Sequence, residues 1–311
     1  MSVGDAIRKR RFELRMSQQE LADAMGYKTR STIAKIESGE NDVSHKKLQK
    51  FAAVLDTTPE ALMGGYVAVS RQVAVAPAKN GNRHVAIILA GGKSGRNRQN
   101  IPTQFINING KPILVYSMDA YQDHPAIDDI YVVCLKGWES IVRAYAQQYG
   151  ITKLQGIIGG GSSGMASLKN ALDYISALYA DEDLVIIQEA SRPMVSVELL
   201  STLLRACAEK NSATICHRMN DYVQFRVNGS RAEYVDRDEI VALQSPEAHR
   251  LSLMKDVFRK AQSLHHPLTE SCCTMLLYNL GYDINFIPTG VNNIKITREE
   301  DIAAFSARVR G

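Results

Sequence analysis

The sequence has no run of eighteen apolar residues, so we expect no segment that spans a membrane. The first fifteen residues are rich in charge and lack the apolar core of a signal peptide, which predicts a cytoplasmic protein. No two of the five cysteines have C-x-x-C spacing, and the seven histidines are scattered. We therefore expect neither a disulfide framework nor a zinc site, and predict reduced, buried cysteines.

Charge is also modest, since the formal net charge is only +4 over 311 residues. Such a value does not by itself indicate a nucleic-acid-binding protein, so the location of the basic residues must decide. The length, with 45% hydrophobic and 23% charged residues, suits one large or two modest globular domains.

Residues 1–66 have the pattern of five short helices. Ser17 and Glu20 have capping-box spacing, which predicts the start of the second helix, and Gly26 ends it. After a short turn, Thr29 is suited to cap the third helix. A capped helix, a turn and a second helix within a small all-α domain are the geometry of helix-turn-helix proteins.

The outward positions of the third helix are polar or basic and can donate hydrogen bonds to guanine or phosphate: Arg30, Ser31, Thr32 and Lys35. On spacing alone, the alternative is a protein-interaction domain in which these residues form a solvated face. Residues 16–62 resemble the phage-repressor/Cro type of helix-turn-helix domain, with a turn one residue longer than usual. The resemblance implies that double-stranded DNA is contacted by Gln18, Thr29, Arg30, Ser31, Thr32 and Lys35.

Residues 67–83 have no long helical period and end in a stretch rich in proline, glycine and asparagine, which predicts a linker. From Val85 onward, short apolar runs alternate with helical patterns. This alternation is typical of a doubly wound α/β domain with a mostly parallel sheet. We predict a small all-α domain over residues 1–66 and an α/β domain over residues 84–311.

A glycine-rich turn follows the first predicted strand, with the sequence Ala90-Gly91-Gly92-Lys93-Ser94-Gly95-Arg96. Ligands of such sheets bind at the carboxyl ends of the strands, and glycines let backbone amides approach an anion. The alternative is an ordinary tight connection. The turn is not a Walker motif, because the required earlier glycine would fall at Ile87, and the G-x-G-x-x-G spacing is absent.

The stretch LAGGKSGRNRQNIPTQF resembles the signature loop of the ribitol-phosphate and methylerythritol-phosphate cytidylyltransferases. The resemblance runs from about residue 85 to 302 and includes GKPILVYSM, GGGSSGMASLKNAL, VIIQEASRPMV, YVDRDEIVALQSPEAHRL, LTESCCTMLLYNLG and NNIKITREEDI. It implies a Rossmann-like nucleotidyltransferase fold. It also implies transfer of a cytidylyl group from CTP to a polyol phosphate with Mg²⁺ as cofactor and release of pyrophosphate.

The resemblance also assigns roles to residues. It places Arg96 on the triphosphate and Lys295 on the α-phosphate, and it implies nucleotide contacts from Ala90, Gly91, Gly92, Ser167, Glu189 and Arg192. Glu189 would also face the metal ion, and Arg237 and Thr269 would hold the acceptor phosphate. Taken singly, Lys295 could be a surface lysine on a strand, Arg192 could belong to a helix entry, and Thr269 could cap a helix.

Four departures from the family's pattern change charged or polar groups. Its P-K-Q becomes Pro102-Thr103-Gln104, the arginine of the second glycine segment becomes Gly164, an aspartate becomes Glu189, and T-P-Q becomes Ser245-Pro246-Glu247. Loss of one preorganised stabilising group typically costs about 10²–10³ in rate. We expect Lys93 to replace the missing lysine as a catalytic residue.

Residues 223–235 form two alternating runs around Asn228-Gly229, which predicts a β-hairpin. In the resembled families an arm at this position exchanges between subunits, which implies a homodimer; the alternative is a hairpin that packs on its own chain. Three functions remain open. The protein is a cytidylyltransferase with a DNA-binding head, a sensor of CTP or a CDP-alditol that regulates transcription, or an enzyme with a protein-binding module.

Overall fold

The structure, a computed structural model, describes residues 3–14, 16–41, 43–57, 59–62, 82–92, 101–219, 223–290 and 293–309. The chain forms two compact units, the first of residues 1–74 with 137–150 and the second of residues 75–136 with 151–311. Of the predicted linker, residues 67–81 lie outside the described residues. No helix of the described part is long and apolar enough to cross a membrane.

The N-terminal part of the first unit consists of five helices, as predicted: α1 (Val3–Glu13), α2 (Gln18–Met25), α3 (Arg30–Glu37), α4 (His45–Val54) and α5 (Pro59–Leu62). Ser17 caps α2 with a complete capping box, and Gly26 ends that helix in the left-handed region at φ +76°. Thr29 occupies the N-cap position of α3, but its hydroxyl bonds to the side chain of Ser31 rather than to a backbone amide of the helix. The four-residue turn between α2 and α3 confirms the predicted helix-turn-helix geometry.

The helices α1 to α5 enclose one apolar core, formed mainly by Ile7, Leu21, Met25, Ile33, Ile36, Phe51, Leu55 and Leu62. The backbones of α1 and α3 approach closely at Gly4. A Cβ atom on this residue would lie only 2.3 Å from the carbonyl oxygen of Ile36. Glycine at this position is therefore required by packing rather than by a turn.

A buried ion pair links α1 to the end of α3. Arg11 donates from Nε to Oε1 of Glu37 at 2.7 Å and from Nη2 to Oε2 at 3.0 Å, and both side chains are at most 5% exposed. Arg11 also donates to the carbonyl of Met16, and Gln18 donates to Oε2 of Glu37 at 2.8 Å. The carboxylate thus ties α1, α2 and α3 together.

The second unit is built on a mixed sheet and two small ribbons. Its strands are β1 (His84–Ala90), β2 (Asn107–Ile108), β3 (Lys111–Pro112), β4 (Asp129–Cys134), β5 (Leu154–Gly159), β6 (Leu184–Glu189), β7 (Ser212–Arg218), β8 (Gln224–Asn228), β9 (Arg231–Val235), β10 (Val241–Arg250) and β11 (Phe286–Pro288). Seven of them form one sheet in the order β11-β7-β10-β6-β1-β4-β5. The run β6-β1-β4-β5 is parallel, as predicted, whereas β10 is antiparallel to β6 and β7.

The remaining helices are α6 (Ile113–Asp123), α7 (Glu139–Gln148), α8 (Gly164–Ile175), α9 (Val197–Lys210), α10 (Leu251–Ser263), α11 (Cys273–Asn279) and α12 (Glu299–Arg308). Helix α7 groups with the first unit, although in the chain it follows β4 and precedes β5. Helices α8, α10 and α11 share one apolar core with alternate residues of β1, β4 and β6. Helices α6 and α9 pack on the sheet through other buried residues. Helices on both faces confirm the doubly wound α/β class.

The predicted hairpin is present as β8 and β9, but its turn differs by one residue. Asn228 pairs with Arg231, so the two-residue loop is Gly229-Ser230 rather than Asn228-Gly229. Gly229 has φ +62° at the first loop position, where a left-handed conformation favours glycine. The five cysteines form no disulfide in the structure; four of them are buried, as predicted, and Cys272 is partly exposed.

The buried pair between Arg11 and Glu37 yields a stability prediction. Replacement of Glu37 by Ala should lower the free energy of unfolding of the helical N-terminal part by about 3–5 kcal/mol, because it leaves a buried guanidinium unpaired. Hydrogen exchange of the amides of α1 to α3 in the full chain measures this loss.

Glu13→Ala is the matched control, since Glu13 pairs with Arg10 on the surface of α1 at 2.9 Å. An exposed pair of this kind contributes about 0.5 kcal/mol or less. Equal losses in the two variants would contradict the stabilising role assigned to Glu37.

Candidate active site

A cavity of about 770 Å³ opens in the second unit where β1 and β6 end. Its walls come from five segments that are distant in sequence: the glycine turn after β1, residues 161–168 at the start of α8, the end of β6 with residues 190–192, the middle of β10, and the start of α11. Residues 103–104, 214 and 295–297 also line it. The location agrees with the rule that ligands of such sheets bind beyond the carboxyl ends of the strands.

The glycine turn after β1 is held by a buried glutamine. Nε2 of Gln104 donates to the carbonyls of Ala90 at 2.7 Å and Gly92 at 3.0 Å, and Gln104 is only 4% exposed. Gly91 and Gly92 line the cavity, whereas Ala90 lies behind it as the last residue of β1. Lys93 and Arg96, for which the sequence predicts phosphate contacts, lie outside the described residues.

A second glycine segment, residues 159–161, packs against the first one. A Cβ atom on Gly161 would lie 2.7 Å from the backbone of Ala166, so only glycine fits there. Ser167 fixes this segment, because its Oγ accepts from the amide of Gly161 at 3.0 Å and donates to the carbonyl of Ser163 at 2.8 Å. Ser167 lines the cavity, and its nucleotide contact stays a prediction. The sequence pattern does not single out Gly161.

Three charged side chains meet at the end of β6. The carboxylate of Glu189 accepts from Nε of Arg192 at 2.6 Å through Oε2, and it forms an ion pair with Nζ of Lys295 through Oε1. All three residues line the cavity. Burial disfavours the charged form of this carboxyl, but Lys295 and Arg192 outweigh that influence and hold the pKa of Glu189 below its ordinary value.

Asn293 places the segment that carries Lys295. Its carbonyl accepts from Nη1 of Arg192 at 2.8 Å, its Oδ1 accepts from the amide of Met194 at 2.9 Å, and its Nδ2 donates to the carbonyl of Ser245 at 2.8 Å. Asn293 is fully buried. Lys295 is exposed at the surface, as the alternative interpretation had it, but it lies in no strand. Lys295 and Arg192 both pair with Glu189, so Arg192 is more than part of a helix entry.

The wall formed by α11 is joined to β10 through Glu247. Its carboxylate accepts from the amides of Cys273 at 3.0 Å and Thr274 at 2.9 Å, and from Oγ1 of Thr274 at 2.5 Å. Nε2 of His249 lies 3.6 Å away from Oε2. Burial raises the pKa of Glu247, but these hydrogen bonds and the nearby imidazole outweigh it, so that the pKa lies below its ordinary value.

The acceptor residues implied by the resemblance do not line this cavity. Arg237 lies in a short exposed 3-10 helix after β9, and Thr269 is exposed in the loop before α11. Thr269 is not a helix cap, because Cys272 occupies the N-cap position of α11. The two departures Thr103 and Gly164 do line the cavity, so the wall lacks the cations that the family has there.

Two groups could bind a metal ion. The carboxylate of Glu189 is an oxygen ligand of the kind that Mg²⁺ prefers, and it faces the cavity. Glu247, His249 and Cys273 bring one candidate ligand atom each to within 4.8 Å of one another. In that second group the carboxylate already accepts three hydrogen bonds, and burial raises the pKa of the Cys273 thiol well above its ordinary value, which favours the protonated form.

The lowered pKa of Glu189 predicts a pH dependence. A carboxyl whose pKa falls on folding contributes stability above its unfolded pKa and loses that contribution as the pH falls through its folded pKa. The free energy of unfolding of wild type should therefore exceed that of Glu189→Gln at about pH 7, and the difference should shrink toward about pH 3.

Denaturant unfolding at a series of pH values measures this difference. Asp173→Asn is the control, because Asp173 forms an exposed pair with Lys169 on α8 and its replacement should change stability little. A difference between wild type and Glu189→Gln that is independent of pH would contradict the prediction.

The profile of the family described as 2-C-methyl-D-erythritol 4-phosphate cytidylyltransferase matches residues 84–310, and a helix-turn-helix profile matches residues 7–62. The ribitol-5-phosphate cytidylyltransferase of Lacticaseibacillus paracasei is 31% identical over 227 residues, which cover 72% of this chain and 97% of that protein. The 2-C-methyl-D-erythritol 4-phosphate cytidylyltransferase of Clostridium botulinum (strain Langeland) is 28% identical over 223 residues, covering 71% and 95%.

A crystal structure of 4-diphosphocytidyl-2C-methyl-D-erythritol synthase from Anaerococcus prevotii matches with a TM-score of 0.63 at 20% identity, covering 74% of this chain and 97% of that one. This likeness confirms the fold, and the family profiles confirm both resemblances seen in the sequence. The chain belongs to the 2-C-methyl-D-erythritol 4-phosphate cytidylyltransferase family and carries a helix-turn-helix domain ahead of its cytidylyltransferase domain.

Proposed function

We propose that this protein transfers a cytidylyl group from CTP to ribitol 5-phosphate or a closely related polyol phosphate, and releases pyrophosphate. The observation that carries the proposal is the cluster of Glu189, Arg192 and Lys295 beside the glycine turn, within one cavity at the ends of β1 and β6. The choice of acceptor follows the relative from Lacticaseibacillus paracasei, which is named for ribitol 5-phosphate.

In the proposed reaction, a phosphate oxygen of the acceptor attacks the α-phosphorus of CTP in line with the leaving pyrophosphate. One P–O bond forms to the acceptor and the P–O bond to the β-phosphate breaks. Lys295 is the described cation suited to stabilise the charge that develops on the α-phosphoryl oxygens. Catalysis of this kind depends on positioning and charge, which the rigid mounting of Lys295 by Asn293 and Glu189 supplies.

Glu189 is the residue that we propose to hold Mg²⁺. When bound, the ion neutralises phosphate charge and favours departure of pyrophosphate. In the free site, Glu189 is paired with Lys295. If Glu189 held the metal ion instead, the ammonium group of Lys295 would be available to bind phosphate. Lys93 and Arg96 belong to the proposed triphosphate site on the strength of the sequence.

A second candidate function is a sensor in which CTP or a CDP-alditol binds without turnover and changes the affinity for DNA. Thr103 and Gly164 on the cavity wall, where the resemblance implies cations, favour it, as does the pairing of Arg192 and Lys295 with the one carboxylate of Glu189. A coupling free energy of about 1–3 kcal/mol between the two ligands would suffice for regulation. Turnover distinguishes the two candidates.

We propose that the N-terminal domain binds double-stranded DNA through α3. Thr29, Arg30, Ser31 and Lys35 are exposed at this helix, and Thr32 is half-buried. Gln18 at the start of α2 is oriented by Glu37, to which it donates a hydrogen bond. Exposed donors on the outer face of α3, whose inner face packs in the core through Ile33 and Ile36, suit a major groove, and they favour DNA over the protein-binding alternative.

The hairpin of β8 and β9 supports a homodimer. One of its faces exposes Val223, Phe225, Val227 and Tyr234, with Phe225 57% and Val227 69% exposed. Apolar residues in such an arm favour burial against a second copy of the chain, which agrees with the arm exchange implied by the resemblance. A dimer would present two copies of α3 to a palindromic site.

The enzyme proposal predicts release of pyrophosphate when the protein is given CTP, Mg²⁺ and ribitol 5-phosphate. Replacement of Lys295 by Ala should reduce kcat/KM by about 10²–10³, because one preorganised stabilising cation is lost. A coupled pyrophosphate assay measures both quantities.

Lys255→Ala is the matched control, since Lys255 pairs with Asp181 on the surface and does not line the cavity. Calorimetric binding of CTP without any turnover across a panel of polyol phosphates would reject the enzyme and favour the sensor. Absence of nucleotide binding would reject both.

The DNA proposal predicts that Arg30→Ala weakens binding to a duplex obtained by in vitro selection, by roughly tenfold or more. Fluorescence anisotropy measures the affinity, and ultracentrifugation of the same samples reports whether the bound species is a dimer. Lys210→Ala on α9 changes the charge equally and should leave the affinity unchanged. Selection that enriches no sequence would contradict specific DNA recognition.

A further inference from the structure

Glu247 is a buried carboxylate at a position where the sequence pattern of the resembled families has glutamine. It is 5% exposed, lies in β10 beyond an irregularity in the ladder, and lines the cavity. The glycine turn, the second glycine segment and the cluster at Glu189 do not contact it through any hydrogen bond described above. It therefore needs an explanation of its own.

The groups around Glu247 are hydrogen-bond donors that converge from α11. Two are backbone amides, of Cys273 and Thr274, and the third is the hydroxyl of Thr274, which itself lies 2.6 Å from the hydroxyl of Thr214 on β7. The imidazole Nε2 of His249 is 3.6 Å away. A carboxylate has only acceptor sites, so it can satisfy all three donors at once.

A glutamine side chain cannot do the same. It has one acceptor oxygen and an NH₂ group with two donors, so one of the three donors from α11 would face another donor. Backbone amides cannot rotate away from such a conflict as a hydroxyl can. The local donor set thus requires a carboxylate, which makes Glu247→Gln a disruptive change at this position.

The segment that Glu247 fixes is one wall of the cavity. Ser271, Cys272, Cys273 and Met275 line it, and the chain just before them carries Thr269. Within this loop, Glu270 is bonded to His266 and accepts from Asn279 at 3.0 Å, so the loop is tied to α11. Displacement of the start of α11 would displace this whole wall, while Lys295, Arg192 and Glu189 are held from β6 and Asn293.

We propose that Glu247 is a positioning residue that fixes the α11 wall for the polyol half of the ligand, while Glu189, Arg192 and Lys295, which we assign to the nucleotide half, are held by hydrogen bonds and ion pairs with residues outside α11. The proposal rests on the proposed function, because it assigns the α11 side of the cavity to the polyol. The proposal predicts different effects of a Glu247 substitution on the binding of two cytidine nucleotides. CTP lacks the polyol, whereas a CDP-alditol contains it.

The experiment uses the full chain and the variant Glu247→Gln, with two readouts. The first is the rate at which Cys273 is alkylated by iodoacetamide, followed by peptide mass spectrometry, since this thiol is 1% exposed in the native wall. The second is the affinity for CTP and for CDP-ribitol by calorimetry. Neither readout requires turnover.

We expect Glu247→Gln to speed alkylation of Cys273 and to weaken CDP-ribitol by roughly tenfold, the change that corresponds to one poorly satisfied buried hydrogen bond. The affinity for CTP should change by less than about threefold. In Glu247→Ala, added formate should restore part of the CDP-ribitol affinity, because the cavity gives a small carboxylate access, whereas sodium chloride at equal ionic strength should not.

Asp183→Asn is the matched control. Asp183 is also a buried carboxylate that accepts two backbone amides, from Arg83 at 2.7 Å and Ala180 at 2.8 Å, but it precedes β6 and does not line the cavity. It should leave both readouts unchanged. An equal loss of CDP-ribitol affinity in this variant would indicate general destabilisation and overturn the proposal.

Two other results would also overturn it. One is alkylation of Cys273 that stays at the wild-type rate in Glu247→Gln, and the other is faster alkylation with CDP-ribitol affinity unchanged. If the wild-type protein binds neither CTP nor CDP-ribitol, the proposed function and the polyol assignment are both rejected. This outcome is distinguishable from the other two because it is seen in the wild-type protein, without any substitution.

Discussion

The ion pairs of Glu189 are the interaction on which the candidate site depends. One carboxylate at the end of β6 draws together Arg192, three residues further on, and Lys295, more than a hundred residues away. Arg192 is largely buried and benefits most from this counter-charge, whereas the side chain of Lys295 is 44% exposed. In the proposed function, phosphate groups of the nucleotide would replace the carboxylate as the partner of these cations.

The contacts in the structure explain two of the four departures from the family's sequence pattern. Aspartate to glutamate at position 189 lengthens the side chain by one methylene, and the longer carboxylate contacts both cations. Glutamine to glutamate at position 247 matches a set of donors that only acceptors can satisfy. No contact of the described residues compensates in this way for Thr103 and Gly164. We expect a cation at these two positions in an active enzyme, whereas a sensor would not need one.

The sequence predicted those features that depend on local chemistry. The capping box at Ser17, the stop at Gly26 and the apolar runs of β1, β4 and β6 were confirmed because caps, turns and buried strands are determined by neighbours in the chain. The antiparallel placement of β10, the role of Asn293 and the requirement for glycine at 161 were not predicted, since each depends on residues brought together by the fold. The hairpin turn was wrong by one residue, because Asn-Gly and Gly-Ser are both acceptable loops and cross-strand pairing chose between them.

The exposed arm has a consequence for how the protein responds to its own abundance. A two-stranded ribbon is marginal in water when nothing covers it. In the proposed homodimer, a second copy that buries Phe225 would therefore stabilise β8 and β9. Pairing of copies scales with the square of concentration, whereas ligand capture by a lone chain scales linearly. Any activity that needs the arm would therefore rise more steeply with gene dosage than the amount of protein does, and dilution alone would switch it off.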